Sequence, residues 1–145
     1  MGKLHEAIEL FEHVMISANE KITHELDEQA FKGLSIEQYE VLAFLKVKGD
    51  KTPGEIALFQ NIKKSAMSNR LNKLLAQGYI TYMPVPAGDK RSKHVHITDA
   101  GLAITDAIQQ HYRSIIADLF EDMQEDEDLE TFIRLLKLIQ SRLKK

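Results

Sequence analysis

The strongest constraint on the fold is a short stretch of helix punctuation between Thr52 and Gly78. Thr52-Pro-Gly-Glu55 can form a capping box, with Thr52 capping the first turn and Glu55 reaching back to it. Pro53 would take the first helical position, where its missing N–H costs nothing. The helix so begun is short, running through Ile56, Ala57 and Phe59 to a turn at Asn61-Ile62. A second helix is expected from Lys63 to Gln77, closed by Gly78. Two helices joined by so tight a turn make a helix-turn-helix, with Ala57 where they approach most closely. Ile62, Met67, Leu71, Leu74 and Leu75 form the expected inner side of the second helix. Lys63, Lys64, Ser65, Ser68, Asn69 and Asn72 are left for the outer side.

After Gly78 the period changes from helical to alternating. Tyr79-Ile-Thr-Tyr-Met83 and His94-Val-His-Ile97 read as two strands flanking a loop from Pro84 to Lys93. Upstream, Ser35-Ile-Glu-Gln38 has capping-box form and opens a helix ending at Gly49-Asp50. Leu4, Ile8, Phe11, Met15, Ala18, Ile22 and Leu26 trace one apolar face. With no Gly or Pro between Lys3 and Lys32, one continuous helix stopped by Gly33 is expected there. Thr98-Asp-Ala-Gly should start a helix to about Met123, burying Ile104, Ala107, Ile108, Ile115, Leu119 and Phe120. A last helix from about Asp128 should bury Leu129, Phe132, Ile133, Leu136, Ile139 and Leu143. The expected class is mainly α (α+β): one domain over 1–145, with a winged helix-turn-helix lobe at 34–98 and a helical dimerisation lobe from 1–33 and 99–145. The first helix is longer than a small core can cover, so part of its stripe is expected to meet a second chain.

Charge localises the function. The net charge is −3, yet 61–96 holds seven bases (Lys63, Lys64, Arg70, Lys73, Lys90, Arg91, Lys93) against Asp89 alone. That segment carries +6, which leaves −9 for the remainder, including seven acids from Phe120 to Glu130. DNA affinity comes largely from Lys and Arg at phosphates, and base reading needs polar side chains on an element narrow enough for the major groove. The helix from Lys63 supplies both. Lys90, Arg91 and Lys93 on the loop tip suit the minor groove, with Asp89 placed to orient the Arg91 guanidinium.

The stretch from Lys63 through Arg70 to Ile80, then Gly88-Asp-Lys-Arg-Ser92 and His96-Ile-Thr-Asp-Ala-Gly101, resembles the MarR family of winged helix-turn-helix regulators along essentially the whole chain. The resemblance implies an obligate homodimer on a pseudo-palindromic duplex. It assigns wing roles to Asp89 and Arg91, and recognition-helix roles to Ser65, Ser68 and Asn69 with Lys63, Lys64 and Arg70. It further implies a small-molecule effector, often an aromatic or phenolic anion, between the lobes; Met15, His13, Tyr39, Phe44, His111 and Tyr112 are candidate lining residues. One departure is Tyr82, where many members carry an arginine.

Other classes find less support. There is no cysteine, which removes disulfides, thiolate metal sites and a thiol nucleophile. No Gly-rich phosphate loop, nucleophile elbow or metalloprotease motif is present, so neither an enzyme nor a cofactor is expected. His5, Glu9 and His13, and Glu20 with His24, have ligand-like spacing, but exposed Glu–His neighbours account for it, and no metal is expected. No membrane span or signal peptide is legible, and a cytoplasmic location is expected. A helical protein-interaction module on the same fold, using the acidic stretch, is the alternative function.

Overall fold

The computed structural model describes residues 2–26, 31–85, 93–123 and 125–144. Its elements are α1 (Lys3–Glu25), α2 (Ile36–Lys48), α3 (Pro53–Gln60), α4 (Lys64–Ala76), β1 (Ile80–Pro84), β2 (Lys93–Ile97), α5 (Asp99–Leu119) and α6 (Asp126–Leu143).

The caps read from sequence form as expected. Ser35 Oγ accepts from Gln38 N at 3.1 Å while Gln38 Oε1 accepts from Ser35 N at 2.9 Å. Thr52 and Glu55 make the same reciprocal pair at the head of α3. The helix-turn-helix bend is made by Asn61 in the left-handed conformation (φ 54°, ψ 48°). Asparagine tolerates that region, and the following Ile62 N–H closes on Ala57 O at 3.0 Å. Ala57 is buried there.

A single core gathers Val41, Leu42 and Leu45 from α2, Ile56 from α3, and Met67, Leu71 and Leu74 from α4. Ile80, Val95 and Ile97 of the hairpin and Ile104 and Ile108 of α5 complete it. β1 and β2 pair antiparallel from Ile80↔Ile97 to Pro84↔Lys93, so Pro84 sits at the end of the ladder, where a missing N–H costs least. A third segment joins the hairpin: Val95 N donates to Lys51 O at 2.7 Å and Lys51 N to Val95 O at 3.3 Å. α5 starts hard against the hairpin. Thr98 Oγ1 accepts from Gly101 N at 3.1 Å and donates to Gly78 O at 2.6 Å, while Thr98 N donates to Tyr79 O at 3.0 Å.

Several sequence expectations are corrected. The first helix does not reach Lys32 but ends at Glu25, with Leu26 leaving the helical region (φ −86°, ψ 68°). Leu26, Phe31 and Leu34 are all buried in the core, and reaching it requires the chain to turn away from the α1 axis. Lys32 and Gly33 both adopt positive φ. Leu75 is on the surface: Met67, Leu71 and Leu74 hold the inner face of α4, and the next residue rotates out of it. Ala107 and Leu119 are also exposed on α5. The largest correction concerns α6, which buries none of its residues; Ile133, Leu136, Ile139 and Leu143 lie open on the single chain.

Candidate nucleic-acid interface

α4 presents two unlike sides. Met67, Leu71 and Leu74 point inward, and the helical repeat therefore turns Ser65, Asn69 and Asn72 directly outward. Hydroxyl and amide side chains at this spacing suit base edges in the major groove, where Asn pairs its amide with adenine. Lys64 and Ser68 flank the face, and all of these residues are exposed. Asn72 was noted on the outer side in sequence but not among the candidate contacts; its spacing from Ser65 and Asn69 places it on the same face. Lys73 is exposed beside it.

The helix start differs from those around it. α2, α3 and α5 carry side-chain caps from Ser35, Thr52 and Thr98. α4 is preceded by Lys63, whose side chain makes no cap. The first turn of α4 thus has no side-chain cap, and two basic residues, Lys63 and Lys64, begin it. Such an end favours an anion through both its open donors and its dipole.

Arg70 behaves differently from the rest of the candidate set. It is half-buried, and its Nη1 donates to Gln60 Oε1, while Gln60 Nε2 donates to Glu37 O at 2.9 Å. This chain links α4, α3 and α2, so the Arg70 head is committed to the scaffold. On the hairpin, Lys93 is exposed at the start of β2, at the foot of the loop. Asp89, Lys90 and Arg91 lie outside the described residues. His96 is engaged by the loop between α2 and α3, its Nδ1 standing 2.7 Å from Asp50 Oδ1. Tyr82 pairs with Val95, and partial burial raises its phenol pKa above the ordinary value.

On the opposite side of the core, a cavity of about 370 Å³ opens between α1, α2 and α5. Asn19 and Thr23 of α1, Tyr39 and Glu40 of α2, Tyr112 of α5 and Phe31 line it. Of the candidate pocket residues, Tyr39 and Tyr112 are here, and Met15 lines an adjoining cavity with Tyr112. Phe44 is elsewhere, stacked on Phe59 with centroids 4.1 Å apart. His5 pairs with Glu9 at 3.0 Å, and no group of three or more metal-ligating side chains occurs among the described residues. Nor is any described helix long and apolar enough to cross a membrane.

A helix-turn-helix backed by a two-stranded hairpin and flanked by long helices defines the winged-helix class. The MarR family model matches residues 32–92. An uncharacterised HTH-type transcriptional regulator of Bacillus subtilis, YdgG, is 37% identical over 98% of this chain and 93% of its own length. The HTH-type regulator TcaR of Staphylococcus aureus is 31% identical over 77% of this chain and 73% of its own. Among solved structures, a MarR family protein from Bacillus stearothermophilus superposes with a TM-score of 0.81 at 17% identity, covering 100% of this chain and 99% of its own. The chain belongs to the MarR family.

Proposed function

We propose that this chain is a sequence-specific double-stranded DNA-binding transcriptional regulator, a ligand-responsive repressor acting as a homodimer in the cytoplasm. In this reading α4 lies in the major groove, and the loop 84–93 reaches the minor groove with Asp89 orienting Arg91. The observation that carries it is the outer side of α4: an amide and hydroxyl face at Ser65, Asn69 and Asn72 behind an uncapped start flanked by Lys63 and Lys64. Family membership, with relatives named as transcriptional regulators, supports the same reading.

The dimer is supported by where apolar surface remains. Of the 21 large exposed hydrophobics among the described residues, seven are on α1 and six on α6. Open surface on that scale, gathered on two terminal helices, marks an interaction site. Unlike a protein-interaction module, which needs no such face, a DNA regulator gives the polar side of α4 a use.

Selection of bound duplexes from a random pool tests the proposal. Two related half-sites about one helical turn apart are expected. Arg91→Ala should weaken binding to the selected duplex, and wild-type affinity should fall steeply with salt. No enriched duplex, or equal binding by wild type and Arg91→Ala across salt concentrations, refutes it.

A further inference from the structure

Guanine and adenine present different pairs of atoms in the major groove. Guanine shows two acceptors, N7 and O6, so a side chain that grips both must bring two donors, as arginine does. Adenine shows the N7 acceptor beside the N6 donor, and one asparagine amide matches both. α4 turns amides outward. Asn69 lies nearest the middle of the face opposite Met67, Leu71 and Leu74, with Asn72 a turn further on and Ser65 a turn before. All three are exposed. So is Ala66, whose methyl beside Ser65 and Asn69 is an apolar contact of the kind that suits the thymine methyl.

The one guanidinium on α4 is withheld from this face. Arg70 is half-buried and shares a flank with the buried Met67, three positions before it, and Leu74, four positions after. Its Nη1 donates to Gln60 Oε1, and Gln60 Nε2 donates to Glu37 O at 2.9 Å, which fixes the amide with its oxygen toward Arg70. A fork with one prong so engaged no longer offers the paired donors that guanine needs. Lys64 lies on the opposite flank with Ser68 and the buried Leu71. Lys73 stands beside Asn69 in the last turn, and its ammonium is a point charge on a flexible stem, suited to a backbone phosphate.

We propose that α4 reads adenine and not guanine: the base pairs beneath it are A·T pairs, with Asn69 and Asn72 each gripping one adenine through N6 and N7. The inference rests on the regulator reading above and names what that reader prefers. Two observations carry it, an amide pair on the outward face and an arginine bound elsewhere. Sequence choice then belongs to uncharged groups, while the flanking lysines supply affinity. Salt separates the two contributions, because only phosphate contacts release counterions.

The test repeats the duplex selection with full-length variants at exposed positions. The base pairs beneath α4 are those whose preference changes in Asn69→Ala or Asn72→Ala. Wild type should prefer adenine at them, on one strand of each half-site. Each variant should relax its own position and bind the wild-type duplex about tenfold more weakly, with the salt slope unchanged. Asn69→Arg should move the preference at its position from adenine to guanine. Lys73→Ala should weaken all duplexes alike and flatten the salt slope by about 0.9. A G·C pair preferred at a position that an asparagine variant relaxes overturns the proposal. So does a guanine preference lost in Arg70→Ala or Lys73→Ala, or an unchanged preference in either asparagine variant. A pool with no enriched duplex refutes the regulator reading and this inference with it, whereas an enriched duplex showing any of those patterns refutes this inference alone.

Discussion

Gly101 is the most tightly hemmed of the described glycines, and replacing it should be costly. A Cβ built there stands 2.2 Å from Tyr79 O and 2.7 Å from Ile97 Cγ1. The first obstacle is backbone, and that carbonyl already accepts from Thr98 N at 3.0 Å. It cannot swing aside without breaking the joint between hairpin and helix. Overpacking a site that cannot relax costs about 3 kcal/mol. Alanine recovers about 1 kcal/mol of that through its better helix propensity. The net expectation for Gly101→Ala is a loss of about 2 kcal/mol, or about 4–8 °C in Tm for a chain of this size. Gly54→Ala is the matched control, because a Cβ there meets only Thr52 Oγ1 at 3.9 Å. It should leave Tm unchanged or raise it. Thermal unfolding followed by circular dichroism at one fixed protein concentration measures both, since under the dimer reading stability depends on concentration. If Gly101→Ala melts with wild type, the contact is not rigid and the reasoning fails.

Two further outcomes follow from the same framework. Glu55 accepts from Thr52 N and Thr52 Oγ1, which holds its carboxyl below the ordinary value near 4.5; the backbone bond is the larger cause. A depressed folded pKa means the contribution is complete above that ordinary value and is lost as pH falls through the lower folded one. Wild type should therefore lose more stability between pH 6 and pH 3 than Glu55→Gln does; parallel profiles count against the cap's electrostatic role. For Arg70, committed to Gln60, alanine substitution should cost about 1 kcal/mol of stability. It should leave the salt slope of duplex binding unchanged, whereas Lys64→Ala should flatten that slope by about 0.9. Equal loss of slope in both variants would show that Arg70 reaches phosphate.

What could be read from sequence was local. Ser35, Thr52, Thr98 and Gly78 announce helix ends because a cap or a positive φ is decided within a few residues. The change of period after Gly78 likewise marks the hairpin. Long-range requirements were hidden. Nothing near Leu26 signals a stop, because α1 ends where Leu26 and Phe31 must enter a core built mostly by later residues. Lys51 gives no strand pattern, being a single residue borrowed by Val95. α6 carries a regular apolar stripe that looks like core, and periodicity does not say whether a helix packs on its own chain or another. On the candidate interface, spacing was enough to place Ser65 and Asn69 on the exposed side of α4, while the engagement of Arg70 by Gln60 depends on a contact ten positions away.

The bond pair between Lys51 and Val95 has a mechanical meaning. It staples the hairpin to the loop between α2 and α3, while Thr98 staples its other end to α5. Hairpin and α4 thus share one frame, and the foot of the hairpin cannot tilt without dragging the helix-turn-helix with it. Under the dimer reading, each protomer is a stamp of fixed relief. A signal then has only one cheap thing to alter, the distance and angle between two stamps, and regulation becomes a matter of gauge, like the spacing of wheels on a track.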